Sequence, residues 1–65
     1  MKWEEVKEGD LLEFEGTAPK KYKINLIQTF ANCTTIMFST NEGETHMLQV
    51  SLKENIADDI RIIKQ

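Results

Sequence analysis

The chain has 65 residues and a formal net charge of −3 at pH 7, with charged and apolar fractions typical of a folded protein. This length predicts a single domain over residues 1–65, with a small core and little room for a water-excluding active-site cleft. The acidic balance counts against binding nucleic acid without sequence preference, because that requires a basic field. No apolar run approaches the roughly 18 residues that span a bilayer.

The single cysteine, Cys33, cannot form an internal disulfide. A small domain without this cross-link indicates a reducing compartment, so we predict a cytoplasmic location. The acidic, polar residues 1–5 do not resemble a signal peptide. A start at Met1 without a linker at either end predicts a complete small open reading frame.

Five segments alternate apolar and polar residues, a period typical of half-buried β-strands. The inward positions predicted from this alternation are Leu12 and Phe14; Tyr22, Ile24 and Leu26; Ile36 and Phe38; Leu48 and Val50; and Ile60 and Ile62. The corresponding strands are predicted at residues 10–15, 21–30, 34–40, 45–51 and 60–64.

Turn-forming residues separate these segments. Residues 16–19, Gly-Thr-Ala-Pro, break the sheet because proline cannot donate to a ladder. Residues 31–33 and 41–43 are predicted as three-residue hairpin loops. Residues 51–54, Ser-Leu-Lys-Glu, have the spacing of a capping box, and residues 55–58 offer a second cap. Either predicts one short helical turn before the last strand, with Ile56 under the end of the sheet.

This order of elements resembles the SH3-like barrels. We therefore predict an all-β fold, a single five-stranded SH3-like β-barrel with one short helical turn before the last strand. Within it, residues 8–14, Glu-Gly-Asp-Leu-Leu-Glu-Phe, are similar to the Gly-Asp-x-apolar-x-apolar start of the KOW motif. The similarity ends there, because Gly16 comes one place early and Tyr22 and Lys23 stand where that family has glycine. The resemblance implies binding to RNA or to ribosomal and polymerase surfaces.

Strand parity predicts a register for the two hairpins. Inward residues with even numbers on three strands require loops with an odd number of residues. The loop at residues 41–43 then pairs Phe38 with His46, Ile36 with Leu48 and Thr34 with Val50. The loop at residues 31–33 pairs Leu26 with Phe38 and Gln28 with Ile36.

The same register predicts an apolar row on the outer side of the sheet. Ile27, Met37 and Met47 lie side by side in it, and Leu11 and Ile63 extend it. Two interpretations are open. The row is covered, by the loop at residues 16–20, by Trp3 or by the curvature of the sheet; or it is exposed and binds a protein partner.

No group of residues predicts chemistry. Cys33 and His46 would lie roughly 16 Å apart in this register, too far for a nucleophile and its base. One cysteine and one histidine cannot form a structural zinc site, and Asp58 and Asp59 are most simply solvated. Glutamates and Asp10 in the first quarter predict a solvated acidic face. We predict no catalytic residue, no metal and no cofactor.

Lys20, Lys21 and Lys23 form the only basic cluster. Its functional interpretation is a phosphate contact, with Tyr22 or Phe30 stacked on a base. Its structural interpretation is a solvated strand edge, with Tyr22 in the core.

The leading hypothesis is a non-enzymatic protein-interaction module, a small cytoplasmic regulator of phage or bacterial origin that docks on a larger protein through the apolar row. The alternative is an RNA- or DNA-binding barrel that uses the lysine cluster. A homodimer formed through Ile27, Met37 and Met47 is compatible with either.

Overall fold

A computed structural model describes residues 1–16 and 20–65. It contains a 3₁₀ turn at Trp3–Glu5 and five strands: β1 (Leu11–Phe14), β2 (Lys21–Phe30), β3 (Cys33–Ser39), β4 (Thr45–Val50) and β5 (Ile60–Ile63). Neighbouring strands are antiparallel, in the order β4-β3-β2-β1-β5. The all-β prediction is confirmed, and each predicted strand is correct to within one residue at both ends. Three residues of the predicted break, Thr17 to Pro19, lie outside the described residues.

The sheet is open. β4 and β5 are its two edges, and the described part of the chain contains no ladder between them. The closed SH3-like barrel therefore stays a prediction. The N-terminal segment instead contacts the connection between β4 and β5: the Trp3 N–H donates to the Glu54 carbonyl at 3.2 Å, and the Ile56 N–H donates to the Met1 carbonyl at 2.9 Å.

The helical turn predicted before β5 is wrong. Residues 51–59 form turns, with a single bridge between Lys2 and Asn55. The Glu54 N–H closes one of these turns on the Ser51 carbonyl at 3.0 Å. The Leu52 and Glu54 carbonyls instead accept hydrogen bonds from the Glu4 and Trp3 N–H groups of the N-terminal segment. Ile56 is half-buried and packs against the core, as predicted.

The core lies on the inner face of β1, β2 and β3, together with two residues that precede β1. Its buried apolar residues are Trp3, Val6, Leu12, Tyr22, Ile24, Ile36 and Phe38. The rings of Tyr22 and Phe38 meet edge to face with centroids 5.2 Å apart, and Phe14 contacts both. The predicted core position of Tyr22 is therefore confirmed, and Trp3 is a core residue.

The β3–β4 register is confirmed at all three predicted pairs. The Gly43 N–H donates to the Thr40 carbonyl at 3.1 Å, and Gly43 has a φ of +90°. A positive φ at this third loop position favours glycine, because a Cβ would be strained there. The three-residue loop thus sets the pairing of the two strands.

The β2–β3 register is wrong in the predicted form. The hairpin has a two-residue loop, Ala31 and Asn32, so that Phe30 pairs with Cys33 and Ile27 pairs with Ile36. The register then shifts between Ile24 and Leu26, where one extra residue forms a bulge. Each of these features reverses the parity of the strand. The two reversals cancel, so Tyr22 and Ile24 at the start of β2 point inward as predicted, whereas the predicted inward position of Leu26, after the bulge, is wrong.

Candidate docking face

An apolar row does cross three strands on the outer side of the sheet. Met37 pairs with Met47 across β3 and β4, as predicted, and Leu26 pairs with Met37 across β2 and β3. Leu26 is 42% exposed and Met47 is 63% exposed, whereas Met37 is half-buried between them. The row is therefore Leu26, Met37 and Met47, and at least its two ends reach solvent.

Ile27 does not belong to this row, contrary to the prediction. It pairs with Ile36 and packs against the core. The cause is the bulge at Asn25, which places two consecutive side chains, Asn25 and Leu26, on the outer side. The Asn25 Nδ2 accordingly donates to the Ser39 hydroxyl at 2.6 Å on that side. A residue of low β-propensity inside an apolar strand was the available sequence signal for the bulge.

Phe30 is a further residue of the candidate docking face. From the sequence it was predicted only as a side chain that could stack on a nucleic-acid base. It is 84% exposed at the end of β2. Because side chains alternate along a strand, Phe30 lies on the same side as Leu26. We use the name outer face for the set Leu26, Gln28, Phe30, Thr35, Met37, Met47 and Gln49. None of these residues is charged.

Leu11 and Ile63 form a separate apolar pair. They are opposite each other across β1 and β5, and both are half-buried. On its other side Leu11 is opposite Lys23, which in turn is opposite Ser39. A lysine and a serine therefore stand between this pair and β4, so the pair does not continue the row of the outer face.

The three lysines of the basic cluster have different surroundings. The Lys20 Nζ lies 3.2 Å from the Glu44 Oε2, and this hydrogen bond raises the pKa of Lys20. The pKa of Glu44 is lowered, first by its hydrogen bond to His46 and then by Lys20. Lys21 and Lys23 are exposed, with Lys21 opposite Glu13. Acidic side chains thus offset part of the charge of the cluster.

No exposed aromatic ring accompanies these lysines in the described residues. Tyr22 is buried, and its ring contacts Phe14 and Phe38. Phe30 lies nine positions along β2 from Lys21, which corresponds to about 30 Å in an extended strand. The structure therefore does not bring together the lysines and the stacking residue that the nucleic-acid interpretation combined.

Cys33 and His46 also lie apart. Cys33 is exposed at the start of β3, whereas His46 is opposite Phe38, five positions further along that strand. His46 is a partly exposed residue beside the aromatic cluster, and its Nε2 lies 2.7 Å from the Glu44 Oε1. Among residues 1–16 and 20–65, no three His, Cys, Asp or Glu side chains form a group that could hold a metal ion.

Asp10 is not part of a solvated acidic face. Its side chain is 6% exposed, and its Oδ2 accepts from the Lys64 Nζ at 2.7 Å and from the Lys7 N–H at 3.0 Å. The Gln65 N–H donates to Oδ1 at 3.2 Å. These hydrogen bonds, the one from Lys64 above all, hold the pKa of Asp10 below its usual value. Asp10 therefore has a structural role, joining the start of β1 to the residues after β5.

Comparisons with known proteins give no family assignment. No protein-family model matches the chain, and neither a curated protein nor a solved structure shows significant similarity to it. In the part of the chain that the structure describes, no helix has the length and apolar character needed to cross a membrane.

Proposed function

We propose that this protein is a non-enzymatic interaction module that docks on a larger protein through the outer face. One observation carries the proposal. Four large apolar side chains are exposed in the described residues. Three of them, Leu26, Phe30 and Met47, lie on this one side of the sheet. Single exposed apolar residues are ordinary on a protein surface, but a shared patch marks a contact site.

The composition of the face indicates the chemistry of the partner. Its apolar side chains are separated by glutamine and threonine, so a partner would meet hydrogen-bonding groups but no charge. Complete burial of one such apolar side chain contributes about 1.5–3 kcal/mol. Methionine at two positions allows the face to adapt to its partner, because the thioether side chain has three flexible bonds.

Two further proposals accompany this function. The antiparallel meander from β1 to β4, with β5 returning beside β1, supports assignment to the SH3-like barrels. The free Cys33 supports a cytoplasmic location, and the small size of the chain is compatible with a phage or bacterial regulator.

Affinity capture from the native cell, followed by substitution of the outer face, tests the main proposal. Phe30→Asp and Leu26→Asp change exposed residues and should leave the sheet folded, as circular dichroism would verify. We expect both to lose the captured protein. Glu42→Lys is the matched control, because it changes the charge of an exposed loop residue away from the face. Retention of the same protein by both aspartate variants would overturn the proposal.

Nucleic-acid binding through Lys20, Lys21 and Lys23 is the second candidate. The exposure of Lys21 and Lys23 on one side of β2 favours it. Binding of this kind should weaken steeply as salt concentration rises, and Lys21→Glu should weaken it further. Filter binding of single-stranded RNA and DNA at several salt concentrations would measure both effects. Absence of binding at low salt would eliminate this candidate.

A further inference from the structure

In the part of the chain that the structure describes, the edge strand β4 has none of the sequence features that usually prevent edge pairing. Protected edges are short, or carry charged residues, proline or a bulge. β4 spans six residues, Thr45–Val50, without aspartate, glutamate, lysine, arginine or proline. Its ladder with β3 runs without a register shift. Within the described residues β3 is its only paired neighbour, so the opposite edge of β4 is open.

The hydrogen-bonding pattern identifies which backbone groups this edge presents. At the hairpin, the Thr40 N–H donates to the Glu44 carbonyl at 2.9 Å, so these two residues form a hydrogen-bonded pair. Such pairs alternate with non-bonded pairs along an antiparallel ladder. His46 and Leu48 therefore bond to β3. The N–H and C=O groups of Thr45, Met47 and Gln49 point away from β3, toward the open edge.

We propose that a second copy of this chain pairs with the edge, β4 against β4, antiparallel about a two-fold axis at Met47. Strands that continue one sheet must keep their inner residues on the same side, so facing residue numbers must add to an even sum. Centring the axis on Met47 satisfies this condition. It pairs Met47 with Met47 of the second copy and Thr45 with Gln49 of the second copy. All three outward-pointing residues then exchange hydrogen bonds.

Charge and continuity favour a second copy as the occupant. In a two-fold interface the same surface of each copy faces the other, so a charged residue near the axis would be repelled by the same residue of the second copy. The chain carries a net charge of −3, but β4 has no acidic or basic residue apart from His46. The proposed pairing also extends the apolar row: Leu26, Met37 and Met47 of one copy continue into Met47, Met37 and Leu26 of the other.

This self-association goes beyond the proposed function and does not rest on it. It uses the backbone edge of β4, whereas the proposed function uses side chains of the outer face. Met47 belongs to both surfaces, but Phe30 and Leu26 are not on the edge strand. Variants at Phe30 therefore separate the two proposals, because they should lose docking and keep self-association.

Cross-linking tests the register. In a Cys33→Ser background, Met47→Cys should form a disulfide-linked dimer on mild oxidation with copper phenanthroline. Facing Cα atoms in a hydrogen-bonded pair lie about 5.5 Å apart, within the range that a disulfide spans. Gln49→Cys in the same background is the matched control, because its two copies would be separated by about 13 Å along the strands. Equal cross-linking of both variants, or of neither, would overturn the proposed register.

Charge exchange tests the interface in solution. Sedimentation velocity should show that the apparent mass of the wild-type protein rises with concentration. Met47→Lys and Met47→Glu each bring like charges together at the axis, so we expect each dissociation constant to rise about a hundredfold. An equimolar mixture of the two variants should associate again. Glu15→Lys, an exposed residue after β1 that lies outside both surfaces, should behave as wild type. A wild-type protein that stays monomeric at every concentration, or a mixture that does not associate, would overturn the proposal.

Discussion

The two edges of the sheet differ in how they are closed to other chains. β5 has only four residues, and Arg61 in its middle lies 3.5 Å from the Glu13 carboxylate on the neighbouring strand. The residues after β5 are joined to Asp10 by an ion pair and a backbone hydrogen bond. β4 is longer and carries neither acidic nor basic groups apart from His46, and Met47 at its centre is 63% exposed.

This difference bears on the proposed function, because one edge of the sheet is fixed by polar contacts and the other is not. Around β1 and β5, Leu12 is fully buried and the buried Asp10 carboxylate is paired with Lys64, whose side chain is partly exposed. These contacts stabilise the fold. β4 contributes Met47 to the outer face, whose other exposed apolar residues, Leu26 and Phe30, are on β2, and within the described residues its outer backbone edge is unpaired. A chain of this length has few residues to bury. The exposed apolar residues of the outer face are the ones that the proposed function uses.

The largest expected effect on stability comes from truncating an apolar side chain beside β5, and the comparison is the same truncation on β4. Leu12 is fully buried in β1 and opposite Ile62 of β5. Leu12→Ala should lower the free energy of unfolding by about 2–5 kcal/mol, because it leaves a cavity in the core. Met47→Ala should change the same quantity by no more than about 0.5 kcal/mol. Urea unfolding of both variants measures the contrast, and equal losses would contradict it.

The next effect concerns the Asp10–Lys64 pair beside β5. Asp10→Asn removes the carboxylate that accepts from Lys64, and hydrogen bonds to charged groups contribute about 1.5–3 kcal/mol. We expect a loss of this order in the free energy of unfolding near neutral pH. Gln49→Asn, on the exposed β4 edge, is the matched control and should change stability little.

The same pair predicts a pH dependence. The pKa of Asp10 in the folded protein lies below its usual value of 3.8, principally because Lys64 donates to it. Its contribution to stability is therefore present above pH 3.8 and is lost as the pH falls through the lower folded value. Unfolding measured from neutral to acidic pH should show that the Asp10→Asn variant lacks this part of the decline. Parallel curves for the wild type and the variant would contradict the assignment.

The smallest expected effect is in the hairpin that carries Phe30. Ala31 has a φ of +56°, the only positive φ at a non-glycine position in the described residues. Ala31→Gly should raise the free energy of unfolding by about 0.5–1 kcal/mol, because glycine has no Cβ to strain this backbone. Asn32→Gly, whose native φ is not positive, is the control and should not stabilise. Thermal unfolding of both variants distinguishes them, and a loss of stability in Ala31→Gly would contradict the two-residue loop.

The candidate site was predictable in part. Alternation gave the strands, and the three-residue loop before β4 gave the pairing of Met37 with Met47. The third member of the row could not be found by parity alone. Asn25 adds one residue to β2 and Ala31 adopts a conformation that alanine rarely takes, and each reverses the side on which the following residues lie. As a result Leu26 replaced Ile27, and Phe30 joined the outer face.

Local sequence patterns thus determined which residues form strands, because the alternation of apolar and polar residues reflects one buried and one solvent-exposed face of the sheet. Tertiary structure decided what those patterns do not record. It placed the Asp10 carboxylate beside Lys64, 54 positions away. It also paired the connection before β5 with the N-terminal segment, where the sequence predicted a helical turn. Contacts between distant segments depend on register and loop geometry, and a change of one residue in either moves every side chain to the opposite face.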